Sequence, residues 1–208
     1  MAGVTGQRVS AAGLAGLIAE RAAGKARFTV AIAGAPGAGK STLAAGLVRA
    51  LGERAVVVPM DGFHLDNAVL EARGLTAVKG APQTFDVTGF DALLARLARE
   101  DAVAIPVFDR AADLSRAGAA IVSAATPIRI VEGNYLLIDR PDWRSLRRHF
   151  DLTIFLDVPE GELERRLVQR WLDHGHDPQA ARSRALGNDI PNARLVIAES
   201  AGAEVIVS

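Results

Sequence analysis

The chain has 208 residues, half of them hydrophobic, enough for one buried core and a single expected domain over 1–208. Lysine plus arginine balance aspartate plus glutamate at 24 each, so no basic field exists to drive sequence-independent nucleic-acid binding, and a small-molecule partner is expected. Cysteine is absent, which excludes disulfides, thiolate nucleophiles and zinc–thiolate sites and suits a reducing cytoplasm.

The first segment, "VSAAGLAGLIAERAAGK", sets Leu14, Leu17, Ile18 and Arg21 at helical spacing and predicts an amphipathic helix within 1–25. Its apolar part is short and runs into Glu20 and Arg21, which argues against a secretion signal. No apolar run approaches the length of a membrane span, so the expectation is a cytoplasmic protein without a membrane partner. Short apolar, branched runs then recur: "FTVAIAG" from Phe28, "RAVVVPM" from Arg54, "VAIPVFD" from Val103, "IRIVEGNYLL" from Ile128, "FDLTIFLDV" from Phe150 and "AEVIVS" at the end. Several are apolar throughout, as strands covered on both faces are. Helical patterns lie between them, the clearest from Thr88 to Arg99, where Thr88 and Asp91 suggest a capping box and Phe90, Leu93, Leu94 and Leu97 form one face. Strand alternating with helix predicts an α/β fold with a doubly wound parallel sheet flanked by helices. The stretches from Leu75 to Phe85 and from His174 to Pro178, rich in glycine, proline and charge, are expected to be the mobile ones.

Directly after the first of these runs comes Gly34-Ala35-Pro36-Gly37-Ala38-Gly39-Lys40-Ser41, followed by Thr42, a match to the Walker A pattern GxxxxGK[ST]. Between a strand and a helix, its glycines let backbone N–H groups turn inward while the helix presents its positive end to a polyphosphate. Lys40 would reach the β and γ phosphates, and the Ser41 hydroxyl would ligate Mg²⁺ with Thr42 beside it. The guanine-reading string NKxD is absent, which favours ATP.

Ligands of an open parallel sheet gather where its strands end, which singles out three places. Asp61 opens "MDGFH" and suits the proton acceptor that orients an attacking hydroxyl, an N-cap being the competing role; Gly62 beside it would admit a substrate closely. Glu132 opens "EGNYLL" and suits the acid that supports Mg²⁺ or touches the acceptor, or else closes the turn. Asp109 and Arg110 follow "AIPVF" and either hold the acceptor or form an ordinary ion pair. His64 lies three residues past Asp61 and either bonds an acceptor hydroxyl or packs at a helix start. On the helix Pro159–Leu172, Arg166 and Arg170 flank a stripe of Leu163, Leu167 and Trp171; they either neutralise the transferring phosphoryl group or, for Arg166, pair with Glu162 at i, i+4. Arg165 points to solvent, "RSLRRH" from Arg144 reads as a solvated helix face, and His174 with His176 reads as a flexible segment rather than a zinc site. Phe63, Phe85, Phe108 and Tyr135 fall near strand ends where they could wall a pocket, while Phe28, Phe90 and Phe155 read as core.

In this order, "GAPGAGKS", "MDGFHLDN", "KGAPQTFD", "PVFDR", "IVEGNYLLID", "FDLTIFLDVP", "RLVQRWLDHG" and "NDIPNA" resemble the P-loop kinase family of uridine kinase, pantothenate kinase and phosphoribulokinase, and within it a bacterial branch described as fructose transport system kinases or nucleoside kinase-like proteins. The resemblance covers the chain from about Phe28 onward. It implies a three-layer P-loop NTPase fold, ATP with Mg²⁺, Asp61 as the acid–base residue, and a small helical lid, here 159–187, that supplies arginines. It also implies an acceptor pocket near Lys79, Phe85, Asp86 and Arg110. The lid "ERRLVQRWLDHGHD" departs from the arginine pattern of uridine kinases, and "DGF" leans towards the pantothenate kinase style of site. Members of the family form homo-oligomers, but no interface pattern is legible. The expected function is an ATP-dependent kinase acting on an alcohol of a sugar such as fructose or of a nucleoside-like compound, with pantothenate or uridine as alternative acceptors. The competing function is a regulatory ATPase without an acceptor, which needs no base at Asp61.

Overall fold

A computed structural model describes residues 4–208. In chain order the elements are β1 (Gln7–Arg8), α1 (Leu14–Arg21), β2 (Phe28–Gly34), α2 (Lys40–Leu51), β3 (Ala55–Pro59), α3 (Asn67–Ala72), α4 (Val87–Leu97), β4 (Ala102–Asp109), β5 (Leu114–Ser123), β6 (Ile128–Gly133), α5 (Pro141–Arg144), β7 (Leu152–Leu156), α6 (Glu160–Asp173), α7 (Pro178–Arg184), α8 (Ile190–Glu199) and β8 (Val205–Val207). Six strands form one parallel sheet in the order β1-β8-β7-β2-β6-β3.

Strand β2 lies at the centre because its residues are apolar on both faces and need cover on both. Phe28, Val30 and Ile32 project into a core shared with Leu14 and Ile18 of α1, Leu47 of α2 and Leu163 and Leu167 of α6. Ala31 and Ala33 project the other way, where their small side chains leave room for Phe90, Phe155, Tyr135 and Trp143. Helices thus cover both faces of the sheet, giving the three-layer P-loop architecture.

Four expectations require correction. The run from Val103 is no strand of the parallel sheet: β4 pairs antiparallel with β5 in a separate hairpin. Its burial alternates, with Val103 and Ile105 inside and Ala102 and Ala104 outside, the period-two pattern of a strand covered on one face. Helix α4 is capped by Asp86, whose carboxylate accepts from Gly89 N–H, while Asp91 accepts instead from Arg148 and meets His149. The 75–85 stretch is pinned rather than free: Thr84 is fully buried and Tyr135 donates its hydroxyl to the Gly80 carbonyl over 2.5 Å. Finally, "RSLRRH" is only partly solvated, since Leu146 is core and Arg147 donates to the carbonyls of Leu137 and Gly202.

Candidate active site

The loop from Gly34 to Gly39 joins the buried end of β2 to the first residue of α2, Lys40. Gly37 and Gly39 have φ of 80° and 95°, where an L side chain is strained, and a Cβ on Gly37 would sit 3.0 Å from Leu167 Cγ of α6. No side chain caps α2, so its first backbone N–H groups are left for an anion. Lys40 lies folded within the loop, donating from Nζ to the Ala35 carbonyl over 3.0 Å. Burial drops its pKa from 10.5 to about 8, against the pull of the Glu132 and Asp61 carboxylates and with a smaller push from Arg170 and Arg110.

Glu132 is the penultimate residue of β6, level with Ile32 of β2 and Pro59 of β3, so the sheet delivers it to the foot of the loop. Its Oε1 accepts from the Ser41 hydroxyl over 3.2 Å. Burial, and next the Asp61 charge, raise its pKa, while Lys40 and the Ser41 bond oppose them. A hydroxyl and a carboxylate so placed are hard oxygen donors of the kind Mg²⁺ takes, and the pair fits that ion.

Asp61 lies on the short turn after β3, not at a helix N-cap; Asp66 caps α3 by accepting from Ala68 N–H. Gly133 makes this turn possible, since a Cβ there would fall 2.5 Å from Met60 Cβ. Gly62, expected to admit a substrate, instead admits the hairpin, for a Cβ on it would fall 2.4 Å from the Pro106 carbonyl oxygen. At the hairpin tip, Arg110 donates from Nη2 to Asp61 Oδ2 over 2.9 Å.

The other expected acceptor contacts are redistributed. Lys79 has three ammonium protons and three acceptors, the Asn67 amide oxygen and the carbonyl and carboxylate of Asp113, so it serves as a strut to the hairpin with no donor left for a ligand. Asp109 closes the hairpin turn by accepting from the N–H groups of Ala111 and Ala112, and pairs with Arg116. His64 stacks between Phe85 and Phe108, at 4.0 and 4.8 Å between ring centres, with Nδ1 buried and unpartnered. Burial lowers its pKa to about 4, so it is neutral at pH 7 and offers an uncharged donor or acceptor. Phe85 itself is buried against Tyr135 and Trp143.

On α6, Arg166 makes the i, i+4 pair with Glu162 over 2.6 Å and also donates to the loop carbonyls of Gly37 and Ala38, which sets it beside the phosphate loop. Arg170 turns to Asp189, which also accepts from Trp171 Nε1 over 2.7 Å. Asp189 belongs to the "NDIPNA" segment, as do Asn188, which donates to the Lys79 carbonyl, and Asn192, which donates to Asn188. His174 and His176 pack edge-on to Trp171. Asn67, Asp113 and Asp189 carried no local sequence signal of these roles.

Residues 29–201 match the model of the phosphoribulokinase/uridine kinase family. The structure is similar to a crystal structure from Silicibacter sp. TM1040 titled "putative fructose transport system kinase", with 49% identity, a TM-score of 0.90 and coverage of 95% of this chain and 98% of that one. Among curated relatives, the uncharacterised protein YggC of Escherichia coli (strain K12) is 36% identical over 87% of this chain and 77% of its own. A pantothenate kinase of Sorangium cellulosum is 34% identical over 73% of this chain and 52% of its own. Among the described residues, no helix is long and apolar enough to cross a membrane.

Proposed function

The chain belongs to the phosphoribulokinase/uridine kinase family of P-loop kinases, and on that premise we propose that it transfers the γ-phosphate of ATP to an alcohol of a sugar or nucleoside-like acceptor. The observation that carries this reading is the convergence of Lys40, Ser41, Glu132 and Asp61 at the C-terminal edge of one parallel sheet, close enough that the Asp61 charge acts on both Lys40 and Glu132. Lys40 and the N–H groups of α2 bind the donor phosphates. Mg²⁺, held by Ser41 and Glu132, would offset charge on the β and γ phosphates. Asp61 orients the acceptor hydroxyl and takes its proton as the hydroxyl oxygen attacks the γ-phosphorus; the bond from that phosphorus to the bridging oxygen breaks and ADP leaves. His64, neutral between two aromatic rings and within reach of the Asp61 charge, would supply the acceptor with an uncharged hydrogen-bonding group.

The sugar is the leading acceptor because a protein 49% identical over nearly the whole chain is titled "putative fructose transport system kinase". Pantothenate and uridine follow from the other names in the family. The chain acts as one cytoplasmic domain with 159–187 as its lid, and oligomers of it would be homo-oligomers. The test is ADP release from MgATP with fructose, other hexoses, uridine, cytidine, adenosine and pantothenate, against an acceptor-free control. Stimulation by one acceptor class supports the reading. A rate indifferent to all of them supports the regulatory ATPase.

A further inference from the structure

Without an acceptor, a kinase faces water as the competing nucleophile, and a carboxylate that activates an alcohol also activates water. We propose that Arg110 is a positioning residue that sequesters Asp61 until an acceptor arrives, and so suppresses wasteful ATP hydrolysis. The inference rests on the kinase reading above.

Arg110 stands on the tip of the β4–β5 hairpin and makes one hydrogen bond among the described residues, to Asp61 Oδ2. That bond engages one of the two carboxylate oxygens and sets a positive charge beside the base, which makes it a weaker proton acceptor. The tip itself is fixed. Lys79 and Asn67 hold Asp113, Ser115 donates to the His64 carbonyl, and Pro106 lies flat against Gly62. Asp113 even adopts φ of 52° to meet Lys79. The moving part is therefore the Arg110 side chain and not the hairpin.

The magnitude suits a gate. The Arg110 side chain is 67% exposed and that of Asp61 26%, so the pair is a largely solvated one, worth about 0–1 kcal/mol. An acceptor hydroxyl can displace it at little cost. The freed guanidinium retains its donors for the acceptor's other oxygens. Water, bound weakly and without those further contacts, displaces it less readily. In the suppressed reaction water would attack the γ-phosphorus, its proton would pass to Asp61, and the products would be ADP and inorganic phosphate.

The test compares acceptor-free ADP release from MgATP in the wild type, Arg110→Met, Arg110→Lys and the double variant Arg110→Met/Asp61→Asn. Arg110→Met raises the acceptor-free rate about two- to fivefold, the most that release of a solvated ion pair supplies. Arg110→Lys, with charge but no planar fork, falls between. The double variant returns to the wild-type rate or below. A merely structural role would lower every rate, so an unchanged or reduced rate in Arg110→Met overturns the inference, as does an increase that survives in the double variant. The wild type is assayed in parallel with the acceptor panel. Failure of every acceptor there counts against the kinase reading, whereas a working acceptor with an unmoved Arg110→Met rate counts against the gate alone.

Discussion

Arg166 Nη1 donates to the Ala38 carbonyl oxygen over 3.3 Å, which seats this arginine of α6 on the shoulder of the phosphate loop. Arg165, by contrast, faces outward and hydrogen-bonds Glu162. Arg166→Ala is expected to lower kcat by roughly 10³, as loss of a phosphate-facing arginine does. Arg165→Ala is expected to leave it within a factor of about five, the most an exposed pair is worth. Steady-state kinetics on the two variants separates these outcomes; equal losses would place the charge compensation elsewhere.

The Lys40 ammonium sets a pH window. Its folded pKa of about 8 lies below the ordinary 10.5, so the folded state binds this proton less tightly than the unfolded state. The stability linked to it is fully present above 10.5 and lost as pH falls through about 8. Lys40→Met removes that dependence: the ligand-free variant gains at most ~3 kcal/mol at pH 7 relative to wild type, and the difference shrinks between pH 8 and 10.5. Chemical denaturation across that range measures it, with ATP affinity collapsing in the same variant.

His64 shows the same sign at lower pH. With its pKa lowered from 6.5 to about 4, the stability it contributes is present above 6.5 and lost as pH falls through 4. The ring stays neutral through the working range, so the rate profile between pH 5 and 8 carries no limb from His64. Proton NMR of the imidazole, assigned by His64→Gln, checks this, and a midpoint near 6.5 would contradict it.

Two glycines, one in the loop and one within α2, predict opposite outcomes. Gly37→Ala forces φ of 80° on a side chain that meets Leu167, at a cost of about 1–3 kcal/mol taken from the loop's binding geometry. Gly46→Ala, within α2 and with nothing within 4 Å of the new Cβ, gains up to about 1 kcal/mol of helix propensity. ATP binding by calorimetry weakens for the first and holds for the second, while thermal denaturation shows the second stabilised.

Burial on both faces is written into a strand as an unbroken apolar run, which is why β2, β3, β6 and β7 were legible and why their ends pointed to Asp61 and Glu132. The same criterion misplaced β4, because Ala102 and Ala104 are small enough to read as apolar while facing solvent. Strand β5 escaped for the converse reason: "LSRAGAAIVS" is mostly exposed and carries almost no apolar face. Without the hairpin, the pairing of Arg110 with Asp61 could not be foreseen, nor could the use of all three Lys79 donors. The contacts of Lys79 with Asp113 and of Arg110 with Asp61 join residues 34 and 49 positions apart through a turn whose closure depends on three-dimensional packing. Asp86 illustrates a local limit: capping fell two residues earlier than the Thr88 signal because the Asp86 carboxylate reaches Gly89 N–H directly.

The central claim is that Asp61 is the base for transfer to an acceptor. The direct measurement is the acceptor-dependent rate of ADP release in Asp61→Asn beside its ATP affinity, using the acceptor that stimulates the wild type most. The account predicts transfer reduced by about 10²–10⁴, the contribution of a general base, with ATP binding within about twofold of wild type. Full transfer by Asp61→Asn would contradict it.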